Sequence, residues 1–284
     1  VAGRAVVPGF VDAHTHLAFA GDRAGEVCRR LWGEPYEEIL ASGGGIHATV
    51  AATRAASFDD LVASASERAR RMLQQGTTTV EVKSGYGLEV GTEVQMLEAA
   101  AAVGRVPIDV VPTFLGAHVV PRGVPREDYL DLVGGEMLAA CAPLARYCDV
   151  FCDRGAFSVE EARRVLRAGV ERGLRPRLHA EQLAHTGGAR LAAEVGAASA
   201  DHLDHATPED AAALRQAGVV GVLLPAASFS LRAPQAPARM LWDAGVTVAL
   251  ATDCNPGTSY VESMPFAIAL ACLEMGLTPE EALW

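Results

Sequence analysis

The sequence predicts an α/β fold, a closed (β/α)8 barrel of the TIM type, on two observations. Eight short apolar runs follow one another along the chain, and segments with helical patterns separate them. Such alternation is typical of parallel βα units, and eight units are the number that closes a barrel. The length of 284 residues agrees, because one barrel takes about 250 residues. We therefore predict a single barrel domain over residues 1–284.

The predicted strands are apolar along their whole length. A barrel strand is covered by helices on one face and by the barrel interior on the other, which favours continuous apolar runs over strict alternation. In chain order, the eight runs are residues 9–17, 77–83, 109–117, 147–152, 175–179, 198–203, 219–224 and 246–251.

Four of the helical segments have recognisable starts. Ser57, Ser158, Thr207 and Thr278 each offer a capping hydroxyl followed by acidic residues in the first turn, and the last two precede a proline. Capping hydroxyls, early acids and proline at the first helical position all favour a helix N-terminus. We predict that helices begin at these four positions and that the first of them ends at Gly76.

The two ends of the sequence bear on its domain organisation. The chain starts on the first predicted strand and stops at Trp284, just inside a further predicted helix. We expect from this that N-terminal and C-terminal segments flanking the barrel are missing.

Composition limits the classes of partner. The chain has 24 Lys and Arg against 35 Asp and Glu, a net charge of −11. Nucleic-acid binding needs a basic face, so this balance argues against it. The sequence contains no charge-free run of about 18 apolar residues, so it predicts no membrane span. The six cysteines are scattered without a CxxC pair, as expected of reduced thiols. These observations predict a cytoplasmic protein and argue against nucleic-acid and membrane partners.

Metal-competent side chains cluster where predicted strands end. His14 and His16 end the first run, His179 the fifth and His202 the sixth, and Asp253 follows the eighth. In an extended segment, residues two apart point to the same side, so His-x-His presents two imidazoles together. Active sites of such barrels lie at the carboxyl ends of the strands. Imidazoles and a carboxylate gathered there predict a site for zinc or another divalent first-row metal.

Longer motifs resemble a known family. The first-strand segment PGFVDAHTHL (8–17) is similar to that of the amidohydrolase superfamily. Six more segments together resemble the imidazolonepropionases over almost the whole chain: FAGDRAGE (19–26), SGGGIHATVAATR (42–54), TTTVEVKSGYGL (77–88), PTFLGAHVVP (112–121), LHAEQLAHTGG (178–188) and ATDCNPGTS (251–259). The resemblance implies an amidohydrolase-type barrel that uses one zinc or iron ion. The implied reaction is hydrolysis of 4-imidazolone-5-propanoate to N-formimidoyl-L-glutamate in histidine degradation.

The resemblance also implies roles for individual residues. Its metal ligands fall on His14, His16, His179 and Asp253, and its catalytic histidine falls on His202. Its substrate-binding positions fall on Arg23, Tyr86, His118, Gln182, Asn255, Gly257 and Thr258. Some relatives carry Glu where Gln182 stands, so we expect Gln182 to bind substrate rather than to act as a base. The habit of the family further implies a homodimer.

Elementary chemistry is consistent with these roles. A divalent ion lowers the pKa of a bound water to about 7 and polarises a carbonyl group. Asp253 is placed to accept the proton of that water, and His202 to orient the carbonyl or to carry a proton to the leaving nitrogen. The planar guanidinium of Arg23 suits the propionate carboxylate of the substrate.

Two alternatives remain open from the sequence. The first is another cyclic amidase of the superfamily, such as a dihydroorotase or hydantoinase, or a deaminase. Many of those amidases bridge two metals with a carboxylated lysine on the fourth strand, whereas residues 147–152 contain no lysine and Lys83, the only lysine, ends the second run. The second alternative is an inactive metal-binding fragment, against which the full set of motif residues argues.

Overall fold

A computed structural model describes residues 2–3, 6–34, 38 and 42–284. In this part of the chain, eight parallel strands form one sheet in the order of the sequence. The strands are β1 Phe10–Asp12, β2 Thr77–Lys83, β3 Asp109–Ala117, β4 Tyr147–Cys152, β5 Arg175–Ala180, β6 Ser199–His202, β7 Val220–Leu223 and β8 Val248–Leu250.

Helices follow the strands and cover the outside of the sheet. They are α1 Ala24–Leu31, α2 Ile46–Ala55, α3 Phe58–Gln74, α4 Val90–Val103, α5 Arg126–Leu132, α6 Leu138–Cys141, α7 Val159–Glu171, α8 Gly188–Glu194, α9 Pro208–Ala217, α10 Pro225–Leu231, α11 Ala238–Asp243, α12 Met264–Met275 and α13 Pro279–Leu283. A π-helical turn, Val133–Met137, joins α5 to α6. No helix among the described residues is both long and apolar enough to cross a bilayer.

The first and last strands meet just beyond their carboxyl ends. Thr15 and Cys254 form a parallel bridge. The amide of His16 donates to the Cys254 carbonyl at 2.9 Å, and the amide of Asp253 donates to the His14 carbonyl at 3.1 Å. The sheet therefore closes on itself at the end where the candidate site residues lie, and the predicted (β/α)8 barrel is confirmed.

The strand limits follow the apolar runs closely, with one clear exception. The bounds of β2, β3 and β4 are those predicted, but β1 ends at Asp12 instead of residue 17. After Asp12 the regular β1–β2 ladder stops, since the Thr15 amide donates to the Glu81 carboxylate at 3.1 Å, although the Thr15 carbonyl still accepts from the Lys83 amide. The prediction for this strand was wrong in length because its second half belongs to the site.

The predicted helix starts are confirmed. Ser57, Ser158, Thr207 and Thr278 are the N-caps of α3, α7, α9 and α13, and each side chain accepts a hydrogen bond from the amide three residues later. The last three form capping boxes with the acidic residue at that position. Such caps contribute about 1 kcal/mol each, and the larger share of helix stability comes from apolar faces packed on the strands.

Candidate active site

Five predicted residues converge at the carboxyl mouth of the barrel. His14 and His16 follow β1, His179 lies in β5, His202 ends β6, and Asp253 follows β8, and all five are at most 3 % exposed. The Nε2 atoms of His16 and His179 are 3.3 Å apart. Asp253 Oδ1 lies 3.6 Å from Nε2 of both His14 and His16. The residues that the resemblance assigned to one ion are therefore neighbours in space.

The donor atoms fit a divalent ion. Nε2 of His14 is buried without a hydrogen-bond partner, and the ligand atoms of His14, His16 and His179 lie within 4.8 Å of one another. Lone pairs that face one point in a dry site are unfavourable unless a cation lies between them. Imidazole nitrogens with one carboxylate oxygen are the donors that zinc and iron accept.

Two carboxylates lie behind two histidines of the cluster. His14 Nδ1 lies 2.6 Å from Asp201 Oδ2, and His179 Nδ1 lies 3.1 Å from Asp149 Oδ2. A carboxylate at Nδ1 takes the proton of that nitrogen and leaves the Nε2 lone pair facing the centre, as in many metal sites. The sequence reasoning missed Asp149 and Asp201. The sequence feature that could have identified them is an acidic residue inside an otherwise apolar predicted strand.

Burial sets the charge states of the cluster. It lowers the pKa of His14 and His16 well below the ordinary value, with the neighbouring cationic and imidazole groups adding to the effect. It raises the pKa of Asp253 well above the ordinary value. The imidazoles are therefore neutral and able to bind a cation near pH 7. A divalent ion at the centre favours the ionised form of Asp253.

His202 lies in the same cluster with a strained backbone. Its φ is 76°, in the left-handed region that residues other than glycine rarely adopt. Its ring centroid is 5.5 Å from that of His14 and 5.3 Å from that of His179. Donor atoms of His14, His202 and Asp253 also lie within 4.8 Å of one another. Strain of this kind is typical of functional positions.

Two predicted substrate residues stand beside the cluster. The His118 ring stacks on His16 with centroids 5.0 Å apart, and the Tyr86 ring is 5.3 Å from His118. His118 Nδ1 donates to the Gly85 carbonyl at 3.0 Å. Burial lowers the pKa of His118 to about 3, so its ring is neutral and offers Nε2 as an acceptor. Burial also raises the pKa of Tyr86, which keeps its hydroxyl a donor.

The loop that carries Tyr86 is held by a buried acid. Glu93, in α4, accepts hydrogen bonds from the amides of Gly85, Gly87 and Leu88 at 2.7–3.2 Å. Gly85 has φ 104°, and a Cβ there would lie 2.9 Å from the Leu115 carbonyl oxygen. These contacts fix the Tyr86 ring at the mouth. Nothing in the sequence distinguished Glu93 from an exposed acid near a helix start.

Arg23 and the loop after β8 meet at the rim. The guanidinium of Arg23 donates to Glu26 at 2.7 and 2.9 Å and is 9 % exposed. A Cβ on Gly257 would lie 2.2 Å from Arg23 Nη1. Glycine at position 257 therefore lets the arginine pack against this loop, which brings together two predicted substrate positions.

Asn255 orders its own loop. Its Oδ1 accepts from the amides of Gly257 and Thr258 at 2.8 and 2.7 Å. Its Nδ2 donates to the Asp253 carbonyl at 2.7 Å and to Thr258 Oγ1 at 2.9 Å.

Gln182 lies on the loop after β5. Its backbone amide donates to Asp153 at 2.6 Å, and its side chain is partly exposed. Substrate binding by these residues stays a prediction.

One further buried acid was not predicted. Asp204 follows β6, accepts from Ser228 Oγ at 2.9 Å, and has a buried Oδ1 without a partner. Burial raises its pKa to about 7. In the sequence it was indistinguishable from a loop acid.

The chain is similar to one protein family and to several curated relatives. A sequence profile of the Amidohydrolase family matches residues 5–283. The imidazolonepropionase of Haloarcula marismortui is 54% identical over 99% of this chain and 67% of its own length. That of Streptomyces griseus is also 54% identical, over 100% of this chain and 70% of its own length. Among solved structures, 5-methylcytosine deaminase from Klebsiella pneumoniae has a TM-score of 0.71 at 16% identity, covering 95% of this chain and 69% of that one.

Proposed function

The chain belongs to the amidohydrolase family and, within it, to the imidazolonepropionases, and from this premise we propose that it hydrolyses 4-imidazolone-5-propanoate to N-formimidoyl-L-glutamate. It is a hydrolase of a carbon–nitrogen bond in a cyclic amide, and the reaction belongs to histidine degradation. The observation that carries the proposal is 54% identity to imidazolonepropionases along essentially the whole chain.

We propose that one zinc or iron ion is held by His14, His16, His179 and Asp253. Amidohydrolases are generally metal-dependent, and the buried, mutually facing donor atoms of these residues support the assignment. When bound, the ion supplies Lewis-acid activation of water and of the ring carbonyl.

The protein side of the reaction needs a base and an acid. The attacking water gives a proton to Oδ1 of Asp253 as its oxygen adds to the ring carbonyl carbon. The carbon–nitrogen bond then breaks, and the departing nitrogen takes the proton that Asp253 received from the water, with neutral His202 passing it on. Both groups lie beside the centre, and the ionised form of Asp253, which a bound divalent ion favours, is the form that can accept the proton.

The propionate and the ring need different partners. We assign the propionate carboxylate to the guanidinium of Arg23, because a planar fork of donors matches a carboxylate. Tyr86 and His118 lie against His16 and offer the ring a hydroxyl donor and a neutral imidazole acceptor. The other proposed contacts come from Gln182, Asn255, Gly257 and Thr258.

A single ion is favoured over a bridged pair. The strand β4 contains no lysine. Lys83 is fully buried and ion-paired with Glu81 at 2.8 Å and Asp149 at 2.7 Å, so it is not free to be carboxylated. This arrangement supports the imidazolonepropionase assignment over a two-metal cyclic amidase.

For the molecule as a whole, we propose one barrel domain over residues 1–284, a homodimer, and action in the cytoplasm. Sedimentation of the purified protein at micromolar concentration measures the oligomeric state, and thermal unfolding tests for a single domain. We expect a dimer mass and one cooperative unfolding transition. A monomer mass would refute the homodimer, and two separate transitions would refute the single domain.

A substrate panel tests the proposed reaction. The purified protein, with its metal content measured, is given freshly prepared 4-imidazolone-5-propanoate, dihydroorotate, hydantoin and cytosine. We expect N-formimidoyl-L-glutamate from the first and at least 100-fold lower kcat/KM with the others. Turnover of another compound in preference to the imidazolone would overturn the assignment.

A further inference from the structure

We propose that Lys83 is a positioning residue that links all three histidines of the proposed metal site and thereby sets its affinity for the ion. The inference rests on the proposed ligands His14, His16 and His179, and it goes beyond the reaction assigned to them. Lys83 is the only lysine in the chain. Its side chain is 0 % exposed, below the mouth of the barrel.

The first link runs to His179. Lys83 Nζ donates to Asp149 Oδ2 at 2.7 Å, and the same carboxylate holds His179 Nδ1 at 3.1–3.2 Å. One carboxylate is thus shared by the Lys83 ammonium and the His179 ring. The lysine therefore keeps an acceptor in place behind His179.

The second link runs to the segment between His14 and His16. Lys83 Nζ donates to Glu81 Oε1 at 2.8 Å, and Glu81 Oε2 accepts from the Thr15 amide at 3.1 Å. The Lys83 amide donates to the Thr15 carbonyl at 3.0 Å. Thr15 is thus held at both its backbone groups, and the two flanking imidazoles are fixed with it.

The third link runs to His14 from the other side. Asp201 Oδ2 lies 3.9 Å from Lys83 Nζ and 2.6 Å from His14 Nδ1. Arg177 shares this carboxylate at 2.7 Å. The buried cluster therefore places two cations among three carboxylates. Lys83 donates hydrogen bonds to Glu81 and Asp149 and lies within ion-pair distance of Asp201.

The linkage matters because Lys83 and its acidic partners are buried. A buried ion pair gains little net free energy, but removal of one partner leaves the others uncompensated in a dry site. Without the Nζ donor, the carboxylates of Asp149 and Glu81 lose a hydrogen bond and must move towards other partners. Such a movement displaces the acceptor behind His179 and the acceptor of the Thr15 amide. Loss of such a contact typically weakens metal binding 10–100-fold.

Zinc affinity without substrate gives the direct test. Lys83→Met and Lys83→Gln are compared with the parent by competition of Zn²⁺ against a chromophoric chelator. We expect 10–100-fold weaker binding in both, and a changed visible spectrum when Co²⁺ fills the site. The matched control is Leu214→Ala, which removes a fully buried side chain from α9. It should lower thermal stability and leave zinc affinity within threefold of the parent.

A double-variant cycle with Asp149→Asn separates positioning from general destabilisation. If Lys83 acts through the carboxylates, Lys83→Gln/Asp149→Asn should bind zinc about as weakly as the weaker single variant. Parent-like affinity in folded lysine variants, or fully additive losses, would overturn the proposal. If both lysine variants fail to fold, Glu81→Gln carries the test. It keeps the lysine and should weaken zinc binding at least threefold, and unchanged affinity would refute the linkage.

The outcome is independent of the substrate. A parent that binds zinc but leaves the imidazolone intact refutes the proposed reaction and leaves the lysine test standing. A parent that hydrolyses the imidazolone, with folded lysine variants of unchanged zinc affinity, refutes the linkage alone.

Discussion

Individual histidines at the mouth differ in what lies behind their rings. His14 and His179 have a carboxylate at Nδ1, whereas Nδ1 of both His16 and His202 is buried without a partner. His16 is instead stacked on His118. A ring with a carboxylate behind it is fixed for metal binding. The ring of His202 is not fixed in this way, which suits a group that must accept and deliver a proton.

Removing one ring at a time separates ligand from catalyst. His179→Ala is expected to lose metal and activity together. His202→Ala should retain most of its metal and lose about 10²–10⁴-fold in turnover, the usual contribution of a general acid or base. Elemental analysis beside kcat measures both effects. A metal-free His202→Ala protein would make His202 a ligand.

Arg23 is expected to select the propionate side chain. A charge-assisted hydrogen bond is worth about 1.5–3 kcal/mol, so Arg23→Met should lower kcat/KM about 10–150-fold. The loss should lie mainly in KM if ground state and transition state bind the carboxylate alike. An analogue without the carboxylate should be nearly unaffected. Equal losses on both substrates would show that Arg23 supports the loop instead.

Asp204 gives a prediction for stability against pH in the metal-free protein. Burial raises its pKa from 3.8 to about 7, so between these values only the folded state keeps the proton. Stability then falls as pH rises through this window and is lowest above pH 7. Asp204→Asn has no carboxyl to ionise, so its stability lacks this fall with rising pH. Relative to the parent, the variant should gain about 2–3 kcal/mol in free energy of unfolding between pH 5 and pH 8.

Urea titrations at the two pH values measure that difference. A difference between variant and parent that stays constant from pH 5 to pH 8 would show that Asp204 is ionised in the folded protein throughout.

At the level of elements, the loops after β1 and β8 form one unit. The barrel closes through residues 14–16 and 253–254. The side chain of Asn255 holds its loop in shape, and Gly257 lies directly under the Arg23 guanidinium. The metal cluster and the proposed carboxylate site are thus joined through the backbone of two loops from opposite ends of the chain.

Gly257→Ala should perturb the contact between these two loops and leave metal binding unchanged. The added methyl group would overlap Arg23 Nη1, 2.2 Å from the Cβ position, and must displace the guanidinium. We expect KM for the imidazolone to rise about as much as in Arg23→Met, with unchanged metal content. The double variant should be no worse than either single one. Additive effects in kcat/KM would mean that the loop acts independently of Arg23.

Local patterns predicted the elements better than the site. Strands such as β2 and caps such as Ser158 depend on neighbours in sequence, and both were found where predicted. The bonds behind the ligands join residues far apart, as between His14 and Asp201, 187 positions away. A single sequence carries no sign of such partners beyond an acid in an apolar strand. The same long-range bonding shortened β1, since Glu81 takes the amide of Thr15.

In the molecule as a whole, closure of the barrel brings side chains from several strands together in one site. Every proposed ligand lies at the carboxyl end of its strand, and polar contacts between residues as distant as Asp12 and Thr252, 240 positions apart, close the ring. The ligands are complete only when β1 and β8 meet. Metal binding and closure of the barrel should therefore support each other, as expected when an ion binds only the folded state.

Titration of the metal-depleted protein tests the central claim most directly. Zn²⁺ or Fe²⁺ is added in fractions of an equivalent, and hydrolysis of 4-imidazolone-5-propanoate is followed at each step. Activity should rise linearly, break at one ion per chain and stay constant beyond it, because the proposed ligands His14, His16, His179 and Asp253 form a single set. A break at two ions per chain, or activity independent of added metal, would contradict the single-ion mechanism.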